Sequence, residues 1–154
     1  MFNALFKTLL IALATLSFTA PACASPTQGT ANEAAAMAKN GVAYLKANGK
    51  EKFLAEVVNN KGQFVDRGLY ISVWTPKAVV LAHGANPKLI GKDIIELKDA
   101  DGKYFMKEIM SRAASSPNGW VDYKWVNPIS KEIQAKSAYF EKADDMIIST
   151  GYYK

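Results

Sequence analysis

A few side chains in this sequence could bind a small anion, and they lie close to aromatic residues. Lys136 sits in an apolar stretch with Ala135, Ala138 and Phe140 beside it. An ammonium there either meets a carboxylate ligand or is a solvated or ion-paired edge lysine. Arg67 offers a planar fork that suits carboxylate geometry. Its plainer role is a turn residue bonded to Asp66. His83, the only histidine, follows an apolar run and precedes Gly84. It could donate to a ligand and make binding pH-dependent, or be a structural histidine satisfied by backbone. Tyr70, Trp120, Tyr123, Trp125 and Tyr139 could wall a ligand and hydrogen-bond to it, or simply pack as core. A pocket for a small organic anion needs such a set: one or two cations, a few neutral donors and apolar walls.

Other chemistries find little support. One histidine and one cysteine exclude most zinc, iron–sulfur and Cys/His catalytic schemes, so no metal and no cofactor is expected. A hydrolytic triad would have to use His83, and no Gly-x-Ser-x-Gly elbow surrounds any serine. No phosphate-cradling Gly-rich loop is present. Asp99, Asp101, Gly102 and Glu108 have partial calcium-loop spacing. The first ligand position falls on Leu97, which has no side-chain oxygen, so a turn and helix cap is expected there. The chain is therefore expected not to be an enzyme.

The elements that must position these residues follow from composition and pattern. The chain has 154 residues, 49% hydrophobic and 21% charged, which is the composition of one globular domain. The net charge of +5 is spread along the chain, so it favours acidic partners weakly and no nucleic-acid partner is expected. Met1–Ala24 reads as a secretory signal. Lys7 precedes an apolar run over 8–20, Pro21 breaks it, and Ala22-Cys23-Ala24 is a small-x-small cleavage site. The run is short of the roughly 20 apolar residues that a membrane span needs, so an uncleaved anchor is the lesser reading. Pro21 argues against Cys23 as a lipidated first residue. Cut after Ala24, the chain is periplasmic or secreted and holds no cysteine, so its core alone must stabilise it.

A leader, 25–31, precedes the domain at 32–154. With Asn32 as cap, Ala34, Met37, Ala38, Gly41, Tyr44 and Leu45 recur at helical spacing until Asn48-Gly49. A second amphipathic helix is expected over Lys50–Val58. Leu69–Thr75 then alternates with period two, and Ala78–Ala82 returns as its hairpin partner. An irregular stretch from His83 to Leu97 and a helix over Lys103–Ala114 form a crossover. Three strands close the chain, Trp120–Trp125, Gln134–Glu141 and Met146–Tyr153. The simplest assembly is α+β: one five-stranded antiparallel sheet, the N-terminal helices on one face and the loop/helix crossover on the other. Strand parity puts Trp120 and Asp122 on one face and Tyr123 and Trp125 on the other. Lys136 and Tyr139 also oppose each other. Tyr123 and Trp125 are expected to share a face with one of these two.

Several motifs in order resemble one family. Leu69-Tyr70, then Val80-Leu-Ala-His-Gly-Ala-Asn-Pro-Lys-Leu-Ile-Gly-Lys92, Asp99-Ala-Asp-Gly102, Gly119-Trp-Val-Asp-Tyr-Lys-Trp-Val-Asn-Pro128, Lys136 with Tyr139, and Gly151-Tyr152 resemble the single Cache domain of the second type. The resemblance implies a PAS-like fold, a long N-terminal helix on a five-stranded antiparallel sheet. It implies an extracytoplasmic sensor with a pocket between sheet and crossover for a small-molecule ligand, often a short carboxylate. His83 would begin the crossover that flanks that pocket. With no second membrane helix and no signalling domain after Lys154, a free-standing version is expected, one that hands its bound state to a membrane-bound sensor protein. The candidate ligand residues are Arg67, Tyr70, His83, Trp120, Tyr123, Trp125, Lys136 and Tyr139. The alternative is a non-catalytic structural or interaction protein of the same fold whose pocket is filled.

Overall fold

The computed structural model describes residues 28–154. The expected signal segment lies outside the described residues. Helix α1 spans Ala31–Asn48 and begins one residue before the expected cap. The cap is Thr30, whose hydroxyl accepts from the Glu33 N–H while the Glu33 carboxylate accepts from the Thr30 N–H. This reciprocal pair satisfies two donors that the first turn leaves without partners. Gly49, at φ 84°, ends α1 and starts α2, Lys50–Val57.

Six strands follow: β1 Val65–Asp66, β2 Leu69–Trp74, β3 Val80–His83, β4 Asn118–Val126, β5 Ile133–Ala143 and β6 Met146–Tyr153. Helix α3, Phe105–Ser115, lies between β3 and β4. The main sheet runs β3-β2-β6-β5-β4 and every pairing is antiparallel. This is the expected α+β architecture. The added strand, β1, is a two-residue edge paired to β2 across a turn at Arg67 and Gly68, both with positive φ. It is too short to leave a periodic signal.

Each sheet face has its own core. Leu69, Ile71, Val73 and Ile148 face Ala34, Met37, Leu45 and Phe53 of the two N-terminal helices. At Gly41 the helix comes so close to β2 that a Cβ would lie 2.7 Å from Ile71 Cδ1. On the other face, Trp74, Val121, Phe140 and Ile147 pack against Phe105, Met106 and Ile109 of α3 and Ile94 of the crossover. Because both faces are covered, β2 is buried along its whole length. The residues that could do chemistry lie mostly on the second face.

Candidate functional site

Lys136 is central to that face. It lies on β5 opposite Tyr123 of β4 and Tyr153 of β6, and only 3% of it is exposed. Its side chain lies across β6 at Gly151 and reaches β2, where Nζ donates to the Tyr70 hydroxyl at 2.7 Å. Three rings surround the ammonium. Nζ stands 4.0 Å from the Tyr70 ring centroid, 5.1 Å from Tyr153 and 6.0 Å from Tyr123. Aromatic faces stabilise a cation modestly but carry no formal charge. Among the described residues no carboxylate pairs with Lys136. Burial lowers its ammonium to about 7, because charge is disfavoured away from water.

The neighbouring groups are neutral. His83 ends β3, and its Nδ1 accepts from the backbone N–H groups of Ala85 and Asn86, at 3.2 and 3.0 Å. A neutral imidazole bonded in this way carries its proton on Nε2. Burial, and secondarily the Lys136 charge, lower His83 to about 3. The ring tilts against Tyr70 at 5.0 Å. Burial, then the neighbouring Tyr153 and Tyr123 phenols, push the Tyr70 phenol well up. Tyr153 donates to the Val126 carbonyl at 2.8 Å and lies 3.4 Å from the Tyr70 hydroxyl. Tyr123 stacks on Phe105 at 4.3 Å, and Trp125 meets the edge of that ring. Helix α3 thus closes the site through one phenyl group.

Between these groups is a narrow hollow of about 20 Å3, room for one or two waters. It is lined by Tyr70, Ser72, Trp74, His83, Tyr123, Trp125 and Lys136, with Leu89, Ile94 and Phe105 as apolar wall. No acidic side chain is among them. The lining can offer a cation and several N–H or O–H donors, which is the chemistry of an anion site. His83 itself fits general-base chemistry poorly. His83 Nδ1 is occupied by backbone and its basicity is far below neutral.

Of the eight candidate residues, Tyr70, His83, Tyr123, Trp125 and Lys136 converge on this hollow. The other three do not. Arg67 lies in the β1–β2 turn and pairs with Glu33 and Asp66. That turn borders a larger open groove of about 390 Å3 beside α1, away from Lys136. Trp120 and Tyr139 stand together at 5.1 Å on the helix-covered face, with Tyr152. Parity was the reason: Lys136, not Tyr139, shares the face of Tyr123 and Trp125. Ser72 and Trp74 also line the hollow. They stand two and four residues from Tyr70, a period-two relation visible in the strand itself. The Asp99 loop is a turn. Its carboxylate accepts from the N–H groups of Asp101, Lys103 and Lys124, each at 2.9 Å. Among the described residues no acidic, histidine and cysteine side chains cluster as a metal site.

Comparison with known proteins supplies the frame for this geometry. The pattern of the family described as Single Cache domain 2 matches residues 26–154. The methyl-accepting chemotaxis protein McpP of Pseudomonas putida is 33% identical over 90 residues. That stretch is 57% of this chain and 16% of the relative's length. A methyl-accepting chemotaxis protein of Vibrio parahaemolyticus superposes with a TM-score of 0.67 at 23% identity, over 79% of this chain and 86% of that one. A Cache chemosensory domain described for carboxylic acid recognition superposes at 0.62 with 25% identity, over 79% and 86% of the two chains. The family pattern matches the whole described chain, and the chain belongs to the Single Cache domain 2 family.

Proposed function

We propose that this chain is an extracytoplasmic sensor module that holds a short organic acid in the hollow around Lys136. It is exported by the segment Met1–Ala24, catalyses no reaction, and passes its bound state to a membrane-bound sensor protein. The observation that carries this reading is the ammonium of Lys136, buried with no carboxylate beside it. Burying a charge without a counter-charge costs several kcal/mol. A core residue of similar length, such as methionine, would avoid that cost, so the lysine is explained by an anion that arrives from outside. The His83 Nε2–H supplies a further donor for the same group. The carboxylic acid recognition described for one Cache domain of similar fold supports the ligand class.

The narrow hollow also supports the competing reading of a filled, purely structural core. Calorimetric titration with formate, acetate, propanoate and succinate separates the two. Stoichiometric binding of at least one monocarboxylate, with succinate excluded by size, is expected. No heat and no thermal shift with any of them would remove the sensor reading and favour the structural one.

A further inference from the structure

The outer strand of the main sheet, β4, has one neighbouring strand among the described residues, β5. Its other edge carries backbone groups that β5 does not use. The Pro117 carbonyl accepts from the Lys142 N–H, and the Asn127 N–H donates to the Glu132 carbonyl, each at 2.8 Å. The odd-numbered residues between them thus bond to β5, and Trp120, Asp122, Lys124 and Val126 turn their backbone groups outward. The crossover covers the middle of this edge. Asp99 Oδ2 accepts from the Lys124 N–H at 2.9 Å, and Lys103 Nζ donates to the Asp122 carbonyl. Asp101 adds an ion pair with Lys124 Nζ at 2.9 Å.

The two backbone groups so occupied lie at the centre of a self-complementary stretch. With a second β4 laid antiparallel about Tyr123, Trp120 faces Val126, Val121 faces Trp125 and Asp122 faces Lys124 of the other copy. Opposite charges and apolar side chains set across two strands stabilise the pairing, and a two-fold contact makes each of them twice. The pleat agrees with this register. Asp122 and Lys124 form a hydrogen-bonded pair in it, the Lys124 N–H donating to the Asp122 carbonyl of the other copy. Those are the groups that Asp99 and Lys103 hold. The Asp122, Lys124 and Val126 side chains are exposed, and an open edge of this kind is a template for another strand.

We infer that β4 is a pairing strand for a second copy of this chain, kept shut by the turn at 99–103. Asp99 and Lys103 imitate a neighbouring strand, with one acceptor and one donor where that strand would place them. With the turn lifted, two copies join through β4 into one continuous antiparallel sheet. The turn runs directly into α3, where Phe105, two residues after Lys103, stacks on Tyr123 at 4.3 Å. Closure of the edge therefore moves with the seating of α3, and a shift of that helix exposes the strand.

Sedimentation of the full chain tests this, with Asp99→Ser and Lys103→Met made singly and together. Serine keeps one oxygen for the N–H groups of Asp101 and Lys103 but is too short to reach Lys124 as well. The double variant is expected to sediment at twice the mass of wild type, and each single variant to move part of the way as concentration rises. Adding Lys124→Pro to the double variant is expected to restore the wild-type mass. Proline fits an outward-facing edge position but withdraws the N–H that pairing needs. Should the double variant not fold, the single variants decide. Wild-type mass in every folded variant at every concentration overturns the inference. So does a doubled mass that survives Lys124→Pro, which places the contact elsewhere. A wild type whose own mass falls on Lys124→Pro already pairs through β4, and that too overturns the guarding role of the turn.

Discussion

Gly151 lies directly beneath the side chain of Lys136. A Cβ at residue 151 would stand 2.4 Å from Lys136 Cε and 2.9 Å from the Ser137 carbonyl oxygen. The absence of a side chain on β6 is what lets a lysine from β5 cross a whole strand and reach Tyr70 on β2. Gly151→Ala should therefore push the ammonium off Tyr70 and strain the β5–β6 pairing. Carboxylate affinity should drop by about tenfold or more, which is the loss of one charge-assisted hydrogen bond. Titration of the variant at a temperature where it is folded checks this. Undiminished affinity would show that the crossing of Lys136 over Gly151 is incidental.

The charge state of Lys136 fixes a pH dependence. Its folded value, about 7, is below the ordinary lysine value of 10.5. Between these pH values the unfolded chain binds the proton that the folded chain has released. The stability of the empty protein should thus rise as pH rises from about 7 to about 9, the opposite of a paired lysine. Near the ordinary tyrosine value of 10.0 the raised phenols of Tyr70, Tyr123 and Tyr153 act in the other direction. Tyr70, Tyr123, Tyr153 and His83 face the ammonium from their strands. The three phenols are raised by burial, and His83, at about 3, is already neutral. None of them ionises between pH 5 and 9. A bound carboxylate favours the charged amine, so affinity should fall as pH rises above 7. Binding at pH 8 should take up a proton, seen as a buffer-dependent heat. Buffer-independent heats at pH 8 would contradict this.

Arg67 is the cation that strand-level reasoning could not place. It is tied to Asp66 beside it and to Glu33 at the start of α1, and its hydrogen bond, then those of Thr30, hold the Glu33 carboxyl down at about 2. Arg67→Ala should leave carboxylate affinity within about twofold, as for a substitution remote from the site. It should lower the melting temperature by loosening the helix start. A large loss of affinity with the fold intact would return Arg67 to the site.

Asp99 ties the turn before α3 to β4 through the Lys124 N–H. Asp99→Ala should destabilise the fold by about 1–3 kcal/mol, the range for leaving backbone donors short of a partner. Calcium should shift the melting temperature of neither wild type nor variant. A calcium-dependent rise in wild type would mean that the loop holds a cation after all.

What the sequence made legible follows from which interactions are local. Period-two alternation placed Tyr123 and Trp125 on one face and Trp120 on the other, because strand parity depends only on residue spacing. The α+β order followed from the same signals. The cap of α1 was available as Thr-x-x-Glu at Thr30 and Glu33, yet Asn32 competed with it by residue type alone. Sequence did not reveal the choice between Lys136 and Tyr139, since this depends on the register between β5 and β4. Nor did it reveal Gly151, whose role exists only because a side chain crosses from a neighbouring strand. The size of the hollow was equally hidden. It depends on how Phe105 of α3 seats against Tyr123, a contact set by helix placement.

If Lys136 is kept for an external anion at the expense of the empty fold, Lys136→Met should stabilise the empty protein and abolish binding. Melting and acetate titration are measured on wild type and variant together. The variant is expected to melt higher than empty wild type, because a buried unpaired charge has been replaced by an apolar chain of similar length, and to have lost carboxylate binding. A variant that melts lower and still binds acetate as wild type does would contradict it.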